Sequence, residues 1–587
     1  MLVNLFFRLL PVQVAIVAMG SINTIVDGVI AARFIDLTTV GVVGLYFSML
    51  RVLEAAGAIL LGGVSVLSGR SLGAGKIDRT RGVCSLGIVT ALAIGALLTA
   101  ASFVAPGAIA DILGANAELR GALMVYVKGY AFGIIPQLVG QQFAASLQLE
   151  RQEKLGHMGI VVMITVNVVL DILFVAVWGM GVWGLALSTA IANWAYFLVI
   201  VQFYFTKRAQ LKPSVRLIDW RELLPVVRIG FPNALLVACL AARGLVINRI
   251  LLACSGSDAL TALSSFNMVN GLILAVALGT GSLVRMLSSV FIGEENREGL
   301  LSLICIVSSY VMAMMLGLAV AVFLLSPALA MIFFPDMGTE VFRMTRQLFA
   351  IYAGCIPPIL VCIAYSNYCQ AAGHHLFVNL VSLIDGFFSM VIPALLLAPR
   401  LGALGVWLAF PIGIGITIVV SILHAVVRSR RWPRTLDEWL LLPADFGTGE
   451  RLVLNLRDMR DVTQTAERVQ AFCDEHGIAR RTGTHAGLCL EEMAGNIVRH
   501  GFRADRKKHI VEVRVVLRED GVVLRIKDDC IAFNPQEWYE MTAGEDPIAN
   551  VGIRLVFRLA EEVNYQNLLG MNVLTIRLAD ASPAPGA

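Results

Sequence analysis

Residues 157–178, HMGIVVMITVNVVLDILFVAVW, decide the fold class, because this stretch is long and apolar enough to cross a membrane as a helix. A hydrocarbon core of roughly 30 Å requires about 20 predominantly apolar residues. Asn167 and Asp171 are polar positions inside the stretch, and their spacing of four places them on one face of a helix. The sequence therefore predicts a membrane-spanning helix with a polar face.

Similar apolar stretches occur throughout the first 430 residues, and the overall composition agrees with them. Of the 587 residues, 57% are hydrophobic and only 15% are charged. A soluble protein carries about 25% charged residues, so a mainly soluble protein is excluded. Residues 1–430 are predicted to form an all-α polytopic domain in a lipid bilayer. The twelve predicted spans are 9–32, 38–67, 83–109, 121–147, 157–178, 181–205, 223–254, 259–291, 300–325, 345–371, 376–397 and 402–427.

The positions of Lys and Arg predict the orientation of this domain. An even number of spans puts both of its ends on the same side of the membrane. Basic residues concentrate in the even-numbered loops and in the run RSRRWPR at 428–434, and such residues mark the cytoplasmic side. We therefore expect a multi-pass protein of the cytoplasmic (inner) membrane with both termini in the cytoplasm. The net charge of +4 is too small to indicate nucleic-acid binding.

The two halves of the membrane domain repeat each other weakly but in order. Leu10-Pro11 heads the first span, and Phe231-Pro232 heads the seventh. Paired halves of this kind are typical of transporters that hold a substrate between them. We predict an N-lobe of residues 1–210 and a C-lobe of residues 221–430.

Several motifs of this region resemble the multidrug and toxic-compound extrusion (MATE) family. They are the Pro11 to Asp27 pattern of the first span, the loop GAGK at 73–76, NVVLD at 167–171 and GVWGLALST at 181–189. The resemblance covers essentially all of 1–430 and implies an antiporter that exports organic, typically cationic or amphipathic, solutes or drugs. It implies H⁺ or Na⁺ as the coupling ion. The residues that it places in the cation-coupling cluster are Asp27, Asn167, Asp171 and Thr189.

Polar residues within the spans also have a purely structural interpretation, because Asn, Ser and Thr often only hydrogen-bond helices together. An Asp at mid-membrane costs roughly 2.5–3.5 kcal/mol on insertion scales and normally faces a cavity, which favours function for Asp27 and Asp171. For Asn167 and Thr189 both interpretations stay open. Asn248 replaces Asp27 in the second half, so ion coupling is expected in the N-lobe.

Beyond the membrane domain, residues 450–580 have the pattern of a soluble α+β domain, preceded by a juxtamembrane linker at 431–449. Residues 581–587, ASPAPGA, are predicted to be a disordered tail. Apolar periodicity predicts the secondary structure between these ends. The predicted elements are helices at 458–477, 482–501 and 551–562, and strands at 509–518, 521–527 and 572–578.

Three spaced motifs of this domain resemble the N, G1 and G2 boxes of the GHKL (histidine-kinase-like) ATPase sandwich, in its serine-kinase anti-sigma-factor branch. They are EMAGNIVRH at 492–500, IKDDCIAFNP at 526–535 and NVGIRL at 550–555. On a helix, the Glu, Asn and His of the first motif project along one stripe. The resemblance implies ATP and Mg²⁺ as cofactors and an anti-anti-sigma-type protein as a possible substrate.

The same resemblance assigns a role to each matching residue. Asn496 would hold Mg²⁺, and Asp528 would accept the adenine amino group. Gly552 would let the backbone approach phosphate at a helix N-terminus. Glu492 would be the general base that activates water or a protein hydroxyl, and His500 would lie in the same pocket.

Two positions depart from the GHKL pattern. Cys530 stands where a glycine is expected, and Asn550 replaces the first glycine of the last motif. Whether ATP is hydrolysed, transferred or only bound therefore stays open, as does a nucleotide-free interaction module.

These patterns lead to one main functional hypothesis and one alternative. The main hypothesis is a cation-coupled exporter that is regulated by a fused ATP-binding, or serine/threonine-kinase, domain. The alternative is a membrane-tethered serine kinase or switch whose helices sense a ligand instead of transporting it.

Overall fold

The computed structural model consists of a helical unit and a smaller unit that contains a β-sheet. The helical unit comprises Leu2–Gln148 and Gln152–Leu442, and the smaller unit is formed mainly by Pro443–Ala587. The side chains of residues 19–34, 37–41, 43, 44, 47, 48 and of positions next to chain breaks are outside the description, as is the tail 581–587. The residues described are 2–34, 37–113, 117–150, 152–206, 209–443, 446, 451–502, 509–518, 521–541, 551–568 and 571–579.

In the first half of the helical unit, the described residues form seven α-helices, and a π-helical turn at Ile172–Val177 follows the sixth. Its helices are α1 Leu2–Phe34, α2 Leu37–Gly73, α3 Ile77–Val104, α4 Pro106–Ile112, α5 Ala117–Leu149, α6 Glu153–Asp171 and α7 Gly181–Val201.

Within the described range 209–443, the second half contains ten α-helices, with π-helical turns at Val307–Val311 and Ile384–Phe388. The short α17 lies inside the predicted linker 431–449. These helices are α8 Leu223–Gly293, α9 Arg297–Ile306, α10 Met312–Leu324, α11 Ser326–Phe333, α12 Glu340–Ala353, α13 Ile356–Ala372, α14 His375–Leu383, α15 Ser389–Leu401, α16 Ala403–Ser429 and α17 Leu436–Trp439.

Nine helices of the described part are long and apolar enough to cross a membrane, and ten if the bent pair α12 and α13 forms one span. The bend of 52° between that pair coincides with prolines at the start of α13, which cannot donate backbone hydrogen bonds. Two features separate these ten spans from the predicted twelve. The element α8 contains two of the predicted spans, which the non-helical Gly256 (φ 74°) divides into two arms. The fully described part of α1, Leu2–Ala18, is apolar but shorter than a membrane span.

The smaller unit is a five-stranded antiparallel sheet covered by helices, with strand order β1-β2-β3-β5-β4. Its core joins valines of the central strands, such as Val513 and Val515, to Val469 and Leu490 of the helices. The strands are β1 Arg451–Leu456, β2 Val511–Arg518, β3 Gly521–Asp528, β4 Glu562–Leu568 and β5 Met571–Ala579. The helices are α18 Met459–Glu475, α19 Arg480–Asn496, α20 Pro535–Met541 and α21 Val551–Leu559.

The predicted fold class, an all-α membrane domain followed by an α+β sandwich, is confirmed, with local corrections. The helix predicted at 551–562 ends at Leu559, because the alternating residues from Glu562 onward pair with β5 as a strand. β1 was not predicted. The helix predicted at 482–501 is α-helical only to Asn496, and residues Ile497–Gly501 form a π-helical turn.

Close backbone contacts between α2 and α8 join the two halves of the helical unit. A Cβ atom on Gly230 would lie 1.8 Å from the backbone oxygen of Ile59, and one on Gly63 would lie 2.0 Å from that of Val226. Such distances are far below van der Waals contact. Glycine is therefore required at these positions for the two helices to approach so closely.

We expect Gly230→Ala to destabilise the helical unit by roughly 1–3 kcal/mol, the usual cost of overpacking. The midpoint of thermal unfolding, measured by scanning fluorimetry in detergent, should fall. Gly244→Ala is the matched control, because a Cβ there meets nothing within 4 Å and lies on the same helix. Equal midpoints for the two variants would contradict the close contact.

Candidate functional site

A cavity of about 630 Å³ in the smaller unit is lined by every residue to which the GHKL resemblance assigns a role. Its wall is formed by α19 and the π-helical turn after it, the end of β3, the chain leading into α20, and the start of α21. The predicted residues that line it are Glu492, Asn496, His500, Asp528 and Gly552. Motifs 60 residues apart in sequence are thus neighbours in space, since positions 492 and 552 share one wall.

Three polar side chains of the cavity wall come from α19 and from the π-helical turn that follows it. Glu492 and Asn496 are separated by one helical turn and are half-buried, whereas His500 is exposed. His500 lies in the π-helical turn Ile497–Gly501, so the simple spacing of an α-helix does not describe its position. It nevertheless lines the cavity together with the other two.

Asp528 lies at the end of β3 and is only 3% exposed. Burial raises the pKa of its carboxyl group, while hydrogen bonds from Asn572 and from the Cys530 backbone act in the opposite direction. Both of these donors contact Oδ1, with Asn572 Nδ2 at 2.7 Å and the Cys530 N–H at 2.9 Å. The Cys530 side chain also hydrogen-bonds this carboxyl group. Because each carboxylate oxygen can accept more than one hydrogen bond, a carboxylate oriented in this way can still accept one from an amino group of a ligand.

Gly552 brings α21 against α19. A Cβ atom at this position would lie 1.9 Å from Oε2 of Glu492, so the Glu492 carboxylate occupies the space that a larger residue would need. The N–H groups of the first turn of a helix have no partners within the helix and favour anions. Gly552 is the second residue of α21 and leaves that turn accessible from the cavity. Asn550 lies outside the described residues.

Sequence reasoning missed how Asn572 and Tyr565 act at this site. The Tyr565 hydroxyl donates to Asn572 Oδ1 at 2.8 Å, and Asn572 Nδ2 donates to Asp528. The pairing of β3 with β5 places Asp528 directly opposite Asn572, which is why this contact forms. The polar residue Asn572 at the start of the predicted strand 572–578 is the sequence signal for it. Apolar side chains, including Phe533 and Trp538, line the rest of the cavity.

In the helical unit, three of the four predicted cation-coupling residues lie together between α6 and α7. Asn167 and Asp171 are 0% exposed, and Thr189 is 7% exposed. Asn167 Nδ2 donates to Thr189 Oγ1 at 3.4 Å, and the Ser188 hydroxyl donates to Asp171 Oδ1. Ser188, which was not predicted, therefore completes this polar cluster.

The cluster retains acceptor capacity, because Asn167 Oδ1 is buried and receives no hydrogen bond from the residues that the structure describes. The π-helical turn Ile172–Val177 begins directly after Asp171. Turns of this type occur frequently at functional sites. α1, which carries Asp27, packs against α6. The side chain of Asp27 itself lies outside the described residues.

Two other acids of the spans have different surroundings. Glu54 is exposed and pairs with Arg51 at 2.7 Å. Asp385 lies in the π-helical turn between α14 and α15, where its Oδ1 accepts a hydrogen bond from Thr417 Oγ1 at 3.0 Å. Arg243 donates to the Asp385 backbone oxygen at 3.1 Å.

Comparison with protein families gives two matches within this chain. The MatE family matches residues 13–173 and 232–396. The histidine kinase-like ATPase domain matches residues 456–578. The MatE match includes the motifs at 73–76 and 167–171 but not the one at 181–189, and the second match includes all three motifs of the smaller unit.

Among curated proteins, the chain is similar to multidrug export proteins named MepA. The protein of Staphylococcus saprophyticus is 27% identical over 242 residues, which are 40% of this chain and 53% of the relative. The protein of Staphylococcus aureus strain RF122 is 23% identical over 241 residues, again 40% and 53%. The similarity thus spans about half the length of these relatives.

Among solved structures, the fold is similar to that of a multidrug resistance MATE family transporter in an outward-facing conformation. The TM-score is 0.67 at 19% identity, covering 73% of this chain and 95% of that protein. A MOP superfamily transporter from Pyrococcus furiosus gives a TM-score of 0.65 at 19% identity, with coverages of 73% and 95%. Identities this low show a shared fold.

We expect Asp528→Asn to stabilise the smaller unit at pH 7. Because burial raises the pKa of Asp528, the ionised form costs stability at a pH above the ordinary pKa of an aspartate, and the amide avoids that cost. Relieving the cost of such a buried charge gains roughly 0.5–2 kcal/mol. Hydrogen exchange of β3 and β5 amides in the full chain should therefore slow by roughly two- to thirty-fold.

Asp474→Asn is the control, because Asp474 is exposed and the substitution removes the same charge from the same unit. Unchanged or faster exchange in the Asp528 variant would contradict the desolvation argument.

Proposed function

The chain belongs to the MatE family, and from this membership we propose that it is a cation-coupled antiporter that exports organic solutes or drugs across the cytoplasmic membrane. The observation that carries the proposal is the buried polar cluster of Asn167, Asp171 and Thr189 in helices otherwise apolar. Burial of an acid in a membrane costs free energy, so its presence there calls for a function that uses it.

The cluster has the chemistry of either a proton or a sodium site. The Asp171 carboxylate can bind and release H⁺, with the Ser188 hydroxyl orienting one of its oxygens. Alternatively, the carboxylate, the Asn167 amide oxygen and the Thr189 hydroxyl supply the oxygen ligands that Na⁺ requires. Asp27, on the adjacent α1, is proposed as the fourth member of the cluster.

Both termini and the smaller unit are proposed to lie in the cytoplasm, as the distribution of basic residues suggests.

The ion gradient supplies the energy in this proposal. One elementary charge that moves through 100 mV gains about 2.3 kcal/mol. Solute export then needs no ATP, and the ATP-binding domain is left for regulation. The transported solute is proposed to be organic and cationic or amphipathic.

Asp171→Asn is expected to abolish gradient-driven efflux in proteoliposomes, because an amide neither releases a proton nor attracts a cation as a carboxylate does. Transport of a fluorescent organic cation would be followed under an imposed pH gradient and, separately, an imposed Na⁺ gradient. Asp258→Asn is the control, since Asp258 is exposed in α8. Efflux that persists in the Asp171 variant under both gradients would overturn the coupling assignment.

For the smaller unit we propose binding of ATP with Mg²⁺ in the cavity of about 630 Å³. The residues present fit this ligand: the buried Asp528 carboxylate suits an adenine amino group, and the Asn496 amide oxygen is a ligand that Mg²⁺ accepts. Gly552, in the first turn of α21, lines the same cavity, and the N–H groups of such a turn favour phosphate. Glu492 faces the same space as a general base, and His500 lies at its exposed side. Bound ATP would regulate transport.

The same cavity supports a second candidate function, a membrane-tethered serine/threonine kinase or switch of the anti-sigma type. In this case Glu492 activates a hydroxyl of an anti-anti-sigma-type protein, and the helical unit senses a ligand. The observation that favours it is that Glu492 lines the cavity beside Gly552. Gradient-driven efflux by the wild-type chain distinguishes the two candidates, because a sensor would show none.

Glu492→Gln is expected to retain ATP affinity within about threefold while phosphate release from ATP falls by roughly 10²–10⁴, the usual contribution of a general base. Calorimetry on the full chain measures the affinity, and a phosphate assay measures turnover. Glu491→Gln is the matched control, because this neighbouring acid does not line the cavity. Undiminished turnover in the Glu492 variant would refute the general-base role, and a wild-type chain without ATP affinity would refute the nucleotide site.

A further inference from the structure

Three residues of metal-binding type come together where β2 begins and β3 ends. One ligand atom each from His509, Asp529 and Cys530 lies within 4.8 Å of the others. His509 Nδ1 and Asp529 Oδ1 are already 2.9 Å apart. His509 and Asp529 have no role in the nucleotide site proposed above, whereas the Cys530 N–H donates to Asp528 and Cys530 lines the cavity.

The pairing of β2 with β3 brings these three residues together. β2 and β3 are antiparallel, and Val511 pairs with Asp528. His509 precedes the first of these partners by two residues, and Asp529 and Cys530 follow the second directly. Continuation of the ladder thus brings the three side chains to one end of the sheet, on backbone that the strands hold in place.

Two of the three side chains are buried and one is exposed, so the candidate site is open to solvent on one side. The His509 side chain is 3% exposed, while that of Asp529 is 40% exposed. Cys530 is 5% exposed. Its Sγ would also lie 3.0 Å from a Cβ on Gly501, so glycine at 501 leaves room for the thiol. The imidazole and the thiol therefore form the inner wall, and the carboxylate faces solvent.

We propose that His509, Asp529 and Cys530 bind a transition-metal ion of the Zn²⁺ class, with a fourth position open to solvent. Thiolate, imidazole and carboxylate together are a Zn²⁺ donor set, and three protein ligands with one open position are a recurrent Zn²⁺ arrangement. The thiolate disfavours Mg²⁺, which prefers oxygen ligands. This site is thus chemically distinct from the Mg²⁺ position proposed at Asn496.

Only small side-chain movements are needed for binding. Ligand atoms of tetrahedral Zn²⁺ are separated by roughly 3.3–3.7 Å, given metal–ligand distances of about 2.0–2.3 Å. The His509–Asp529 pair, at 2.9 Å, must open slightly. The widest separation, at most 4.8 Å, must close by about 1 Å, which rotation of the Asp529 or Cys530 side chain provides.

Metal binding would also act on the neighbouring cavity. The Cys530 N–H donates to Asp528 Oδ1, and the Cys530 backbone oxygen accepts from Asn572 at 3.2 Å. A metal on the Cys530 thiolate fixes the position of this segment and hence of the Asp528 carboxylate. This consequence rests on the proposed nucleotide binding, whereas the metal site itself does not.

The test is titration of the reduced full chain in detergent with Co²⁺, in the absence of nucleotide. Cobalt bound to a thiolate gives a ligand-to-metal charge-transfer absorption band that other ligands do not produce. We expect this band at one equivalent and its removal by Zn²⁺. Cys530→Ser and His509→Gln should each weaken Co²⁺ binding at least about tenfold, and the serine variant should lose the band.

Cys254→Ser is the control, because Cys254 is an exposed thiol in the helical unit and its loss should leave the band unchanged. Hydrogen exchange of β2 and β3 confirms that each variant is folded. A wild-type chain without the band, or a band that persists in Cys530→Ser, overturns the proposal. Since no nucleotide is present, a chain that binds the metal but not ATP refutes only the nucleotide proposal.

Discussion

The contact between Ser188 and Asp171 determines how α6 and α7 must meet in the helical unit. Both residues are 0% exposed, and the hydroxyl donates to the carboxylate inside apolar surroundings. A buried carboxylate without donors is far more costly than one that is hydrogen-bonded. The two helices are therefore held in the register that satisfies it, and the polar cluster with Asn167 and Thr189 follows from that register.

The smaller unit also contains a buried carboxylate, and here a β-strand supplies the hydrogen-bond donor. Asp528 is buried at the end of a strand, and the neighbouring strand supplies Asn572 as its donor at 2.7 Å. In both units an acid is kept from water, and one of its oxygens is oriented by a donor on an adjacent element. Groups held in this way are preorganised for a ligand, because their hydrogen bonds do not have to rearrange when it binds.

The sequence predicted those features of the fold and the site that produce a regular pattern along the chain, and it missed those that do not. Apolar stretches of span length are local signals, so the helices and the pair Asn167 and Asp171 were found. Spaced motifs identified the cavity residues because their order along the chain is fixed. β1 depends on pairing with β2, far along the chain, which a local pattern does not reveal. β4 pairs with the neighbouring β5, but its residues EVNYQNL lack an apolar run, so the contact between Tyr565 and Asn572 was missed. The π-helical turns likewise arise from packing, since their residues have no distinctive composition.

The glycine contacts and the polar cluster hold together different parts of the helical unit. α2 and α8 meet through backbone atoms at Gly63 and Gly230, so a larger side chain at either position would push these helices apart. The cluster lies between α6 and α7 within one half, where the hydrogen bonds of Asn167 with Thr189 and of Ser188 with Asp171 join those two helices. In the transport mechanism proposed above, movement between the halves would change access to the cluster without breaking these two hydrogen bonds, as alternating access requires.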